Sequence, residues 1–127
     1  MLYTINFNNS EDFLKKTPMG TLFKNCEERS YKVIEYFKEN RNKVSYICIA
    51  PNFETYEIPN DFDSIRSKDV VGIVESVTKD SVNFKEFNNN FTEMYENCYV
   101  APRIVLNKLN RTFKIVCFDL YPKNRIS

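Results

Sequence analysis

The sequence predicts an α+β fold: a twisted antiparallel sheet of five to seven strands, curled toward a partial barrel, with one main amphipathic helix over about 21–40 packed on it. Three observations predict it. One stretch repeats its apolar residues at helical spacing, several short β-rich runs are apolar on one or both faces, and two hairpin patterns fill the later part of the chain. A length of 127 residues is read as one α+β domain, 1–127. Folding at that size hides roughly two-thirds of the surface of the extended chain, enough for an independent core. With 43% hydrophobic, 15% aromatic and 28% charged residues, the composition is that of a folded protein.

Leu2 to Phe7 alternates as a half-buried strand, with Tyr3, Ile5 and Phe7 on one face. Asn8-Asn9-Ser10 ends it, and Ser10 is placed to cap a short helix running through Lys16, before Pro18 and Gly20 punctuate the chain. Over 21–40, Leu22, Phe23, Cys26, Ser30, Val33, Ile34 and Phe37 form one stripe, with Lys24, Glu27, Glu28, Lys32, Glu35 and Glu39 largely outside it. Val44 to Ala50 is apolar on both faces, the pattern of a central strand. Pro51 and Pro59 bracket a short extended piece, Phe53 to Ile58, and Asn60 to Lys68 reads as a loop with a helical turn.

Val70–Val77 and Val82–Phe87 flank Thr78-Lys79-Asp80-Ser81 as a hairpin. Pairing Val77 with Val82 sets Phe87 opposite Gly72, an aromatic over a strand glycine, and suggests a bend or bulge there. Asn90 and Glu93 have capping-box spacing for a short helix over 91–97. Pro102 interrupts the chain after Tyr99-Val100-Ala101. A last hairpin joins Arg103–Leu106 to Arg111–Tyr121 through Asn107-Lys108-Leu109-Asn110, its second strand apolar on both faces.

The chemistry the chain excludes is more definite than what it offers. It has no histidine, which removes the commonest general base, the histidine-dependent nucleophile systems and most catalytic zinc sites. Its two glycines, Gly20 and Gly72, cannot build a phosphate cradle, and no nucleophile-elbow pattern occurs. Cys26, Cys48, Cys98 and Cys117 are four singletons with no CxxC pair, expected to be reduced and buried in a cytoplasmic protein. The expectation is therefore no catalytic set, no cofactor and no metal. Asp61 and Asp63, spaced by one residue before Ser64, have the oxygen donors of a cation site but fit turn and cap duty better. Glu75 and Asp119 are acids inside apolar strands, where a sheet edge or a basic neighbour is the commoner explanation than catalysis.

Charge is uneven although the net is +1. Residues 51–97 carry ten acidic and four basic groups, and residues 98–127 carry six basic and one acidic. The blocks are expected to neutralise each other across the fold. In the basic block Arg103, Lys108, Arg111, Lys114, Lys123 and Arg125 interleave with aromatic residues, the ingredients of single-stranded nucleic-acid or nucleotide binding. Strand geometry divides them into two clusters, one at the 107–111 turn and one at the tail. If Leu106 pairs with Arg111, Arg103 faces Lys114 and an anion is needed between them, a relation that a two-residue slip dissolves.

The leading functional expectation is a non-catalytic protein that binds another protein, with Tyr31, Tyr36, Tyr56 and Tyr95 as contact residues. Heavy use of Asn, Lys, Ile, Phe and Tyr points to an AT-rich genome, bacterial, viral or protozoan. The small size, the lack of a catalytic set and the two charge blocks suit an accessory or inhibitor factor of a phage or mobile element from such a host. No apolar run approaches the ~18 residues of a membrane span, and the N-terminus lacks the pattern of a signal peptide.

Overall fold

The computed structural model describes residues 2–17, 19–50, 63–87 and 96–123. Within them lie three helices, α1 (Glu11–Lys15), α2 (Met19–Leu22) and α3 (Cys26–Glu39), and six strands. The strands are β1 (Leu2–Asn6), β2 (Tyr46–Ile49), β3 (Val70–Val77), β4 (Ser81–Glu86), β5 (Cys98–Asn107) and β6 (Thr112–Pro122). The expected piece over 53–58, Asp61, and the 91–97 helix except its last two residues lie outside the described residues.

Local chemistry sets the helix boundaries. Ser10 caps α1, its Oγ accepting from the Phe13 N–H at 3.2 Å. The stripe expected to run unbroken from 21 to 40 is cut in two. Asn25 Oδ1 accepts from the Glu28 N–H at 2.8 Å, and Glu28 Oε2 accepts in return from the Lys24 N–H at 2.8 Å. This reciprocal cap starts α3 at Cys26 and leaves α2 as a separate turn. Val33 and Phe37 are buried, and Phe37 sets its ring edge-on to Phe118, 6.2 Å away.

The strand order is β1-β4-β3-β2-β6-β5, and the sheet is mixed. Four pairs are antiparallel as expected, and β2 and β6 run parallel. The two hairpins, β3–β4 and β5–β6, are local and fix their own directions. The long-range insertion of β2 between them sets one parallel contact that no turn signal encodes. The sheet curls until its two edges touch. Phe7 bridges Val100, and the Asn8 N–H donates to the Val100 carbonyl at 3.2 Å. The result is a partial barrel, closed at one point, whose concave face carries Ile5, Phe84, Val74, Ile47, Phe118 and Leu120.

Three register shifts interrupt the ladders. One between β2 and β3 leaves Val71 as the extra residue beside Gly72, where a bend or bulge is expected, and bulges at Glu75 and Val116 decide which side chains face which way. In β3 the register passes from Val74↔Phe84 to Ser76↔Asn83, leaving Glu75 as the extra residue. Val77 pairs with Val82 as expected, but the bulge then sets Glu86, not Phe87, opposite Gly72. The glycine is needed for backbone approach: a Cβ there would lie 2.3 Å from the Lys85 carbonyl oxygen. In the second hairpin Leu106 pairs with Phe113, two residues from the expected partner, and Arg111 turns the chain with φ 56°. A bulge at Val116 then carries Arg103 opposite Cys117 and away from Lys114. Pro102, expected to interrupt the chain, sits inside β5, where an edge strand tolerates its missing N–H.

Candidate functional site

The convex face of the sheet holds two dissimilar surfaces side by side, and register alone puts them there. Residues directly opposite on neighbouring strands share a face. Leu2 pairs with Lys85, Lys85 with Ile73, and Ile73 with Tyr46, so these four form one row across β1, β4, β3 and β2. Phe87 lies two residues beyond Lys85 on the same side. Leu2, Tyr46, Ile73 and Phe87 are between 39% and 59% exposed, and they are four of the six large hydrophobic residues exposed among the described residues. The next row is polar: Thr4 donates to Asn83, which donates to Ser76.

Continuing across β2 onto β6 and β5, the same face turns polar and closed. Cys48 pairs with Asp119, and Arg103 pairs with Cys117. Arg103 is 2% exposed and Asp119 0%. The guanidinium holds the carboxylate with two bonds, Nε to Oδ2 at 2.8 Å and Nη2 to Oδ1 at 2.7 Å, and its Nη1 donates to the Ser64 carbonyl at 2.6 Å. Burial pushes the Asp119 carboxyl up, and the hydrogen bonds and charge of Arg103 act against that. For Arg103 burial favours losing the proton, but the hydrogen bonds and charge of Asp119 outweigh it and hold the guanidinium above its usual range. The Cys117 thiol lies 3.8 Å from Asp119 Oδ1. Its pKa is driven far up by a hydrogen bond with Cys48, by burial and by the Asp119 charge. Cys48, Cys117, Asp119 and Arg103 are all buried, so the cluster lies inside the sheet packing and not on its surface.

The expected basic residues separate as their spacing implied. Lys108 and Arg111 sit at the exposed end of the β5–β6 hairpin, flanking Leu109, which is 98% exposed. Lys108 and Lys114 line a groove of about 540 Å³ with Thr112 and Phe113. Lys114 approaches Asp63 at 3.9 Å, an exposed ion pair between the basic and acidic blocks. Lys123 lies over the Tyr99 ring at 5.2 Å, at the far end of β6. Arg103 belongs to neither cluster, being sealed in the ion pair. Arg125, Tyr56 and Tyr95 lie outside the described residues. Tyr31 is exposed on α3 and borders a groove with Glu27, Ile34 and Lys79, while Tyr36 is half-buried with its ring against Phe113 at 5.6 Å.

Sequence reasoning missed the convex row because its members come from four strands. The one local signal was β3 itself, apolar on both faces at Ile73 and Val74. Together the fold and surfaces define a class: a small curled-sheet α+β protein with an exposed apolar face and a sealed polar cluster beside it. Comparison with family models, curated proteins and solved structures finds no match to this chain.

Proposed function

We propose that this chain is a non-catalytic binding protein whose partner is another protein, engaged through the convex row of Leu2, Tyr46, Ile73 and Phe87. The observation that carries this reading is the alignment of those side chains on one sheet face, where water contact is unfavourable and nothing described covers them. Lys85 at the centre of the row suits a partner surface that is apolar with an acidic group. Tyrosine and phenylalanine supply contact area at low entropic cost. The setting proposed for it is a phage or mobile element of an AT-rich host, where a chain of this size would act in the cytoplasm as an accessory or inhibitor factor. Among the described residues no helix is long and apolar enough to cross a membrane.

A photo-crosslinking amino acid at position 73, compared with one at position 109, tests the reading in the native host. One protein captured from position 73, and lost on Tyr46→Ser with Phe87→Ser, supports it. Capture of nothing from 73 counts against it.

A second reading, nucleic-acid or nucleotide binding, is favoured by the convergence of Lys108, Arg111 and Lys114 at one hairpin end. It predicts oligonucleotide binding that weakens steeply with salt and falls at least about tenfold in a Lys108→Glu, Arg111→Glu variant. Arg103→Glu is unsuitable for that test, because it breaks the buried pair.

A further inference from the structure

Four isolated cysteines gave no metal-ligand spacing, yet strand pairing unites two of them. Cys48 on β2 and Cys117 on β6 lie 69 positions apart in the chain, and their sulfurs and an Asp119 oxygen all fall within 4.8 Å of one another, fully buried. We propose that Cys48, Cys117 and Asp119 form a binding site for a thiophilic divalent cation, zinc above all.

Distances support the fit. Zinc bonds of about 2.3 Å to sulfur and about 2.1 Å to oxygen place tetrahedral neighbours roughly 3.6–3.8 Å apart. Cys117 Sγ and Asp119 Oδ1 are already 3.8 Å apart, and the widest separation in the trio needs to close by no more than about 1 Å. Rotation of a thiol about its χ1 covers that without moving the strands.

Charge supports it as well. Two thiolates and a carboxylate around a divalent cation leave a net of one negative charge, which Arg103 neutralises from 2.7 Å. A sealed site tolerates ions only when they balance. Arg103 does not block the cation. Each carboxylate oxygen has two lone-pair positions, and Oδ1 presents the one not used by Nη2 toward Cys117. The metal would take the place of the thiol protons, with Arg103 orienting the carboxylate as an outer partner. Binding releases those two protons to solvent, forms two metal–sulfur bonds and one metal–oxygen bond, and transfers no electrons. Two sulfurs disfavour calcium and magnesium, which require oxygen donors. Three protein ligands leave the fourth position of a tetrahedral zinc to one enclosed water, since a further anion would undo the charge balance.

The full-length chain, unfolded under reducing conditions and refolded with cobalt(II), provides the test. The expected result is a sulfur-to-cobalt charge-transfer band with the intensity of two thiolates, displaced by zinc, at about one metal per chain. Cys48→Ala should cut uptake at least about tenfold, while Cys26→Ser with Cys98→Ser leaves it unchanged. If Cys48→Ala fails to fold, the wild-type band still decides. No band, a band of one thiolate, or uptake lost with Cys26 and Cys98 overturns the proposal. So does air oxidation to a Cys48–Cys117 disulfide in a chain that takes up no metal.

Discussion

Arg103 and Asp119 show how much a buried charge depends on its neighbour. Both are withdrawn from water, and the two bonds between them, with the third to Ser64, satisfy the guanidinium along most of its edge. Arg103→Met should cost about 3–5 kcal/mol, because it leaves the Asp119 carboxyl buried without its partner, as an unpaired charge or a group forced to take up a proton. Arg103→Met with Asp119→Leu should recover most of that loss, as apolar replacements of similar volume often do. Urea denaturation of the two variants checks both. Cys98 gives a pH prediction. Burial pushes its thiol up to about 11 from 9.0, with the charge of Lys123 acting the other way. Between those values the folded chain keeps a proton that the unfolded chain releases, so this contribution is complete below about pH 9 and lost as pH rises through about 11. Cys98→Ser should flatten the alkaline fall in stability, by up to about 3 kcal/mol.

Elements here owe their limits to caps and bulges more than to propensity. α3 begins where Asn25 Oδ1 accepts from the Glu28 N–H, so Asn25→Ala should cost about 1 kcal/mol and lower helicity by circular dichroism. The β3–β4 hairpin depends on Gly72, whose Cβ would meet backbone atoms of Lys85 and Glu86 at 2.3–3.0 Å. Backbone does not yield as a side-chain tip does, and Gly72→Ala should destabilise by about 2–3 kcal/mol, read as a lowered denaturation midpoint. The bulge at Glu75 matters for function too. By shifting β3 one residue it turns Val74 inward and leaves Ile73 on the convex face opposite Lys85, while Glu86, on the inward face of β4, accepts from the Tyr3 hydroxyl at 3.2 Å.

For the whole molecule the decisive contact is the meeting of the sheet edges at Phe7 and Val100. Arg29 secures it from α3: its Nη1 donates to the Asn8 carbonyl at 3.0 Å, and the guanidinium lies over the Phe7 ring. Arg29→Leu removes the donor from a buried carbonyl and should cost about 1–3 kcal/mol. Hydrogen exchange should quicken at Asn8 while the β5–β6 hairpin keeps its protection, since that hairpin is held by its own ladder. Equal acceleration in both regions would mean that the seam does not open independently.

The sequence by itself determined the α+β class, the Ser10 cap, the core stripe of α3, both hairpins and the Val77–Val82 pair, because each rests on residues a few positions apart. It also separated Lys108 and Arg111 at the turn from Lys123 at the far end of β6, since strand length sets their distance. Tertiary structure alone decided the parallel β2–β6 pair, the bulges at Glu75 and Val116, the convex apolar row and the meeting of Arg103, Asp119, Cys48 and Cys117. Asp119 was legible as an acid needing a basic partner, but not which one, because a single bulged residue reverses the side chains beyond it. Register between distant strands comes from packing the whole sheet, and no window of neighbouring residues contains that information.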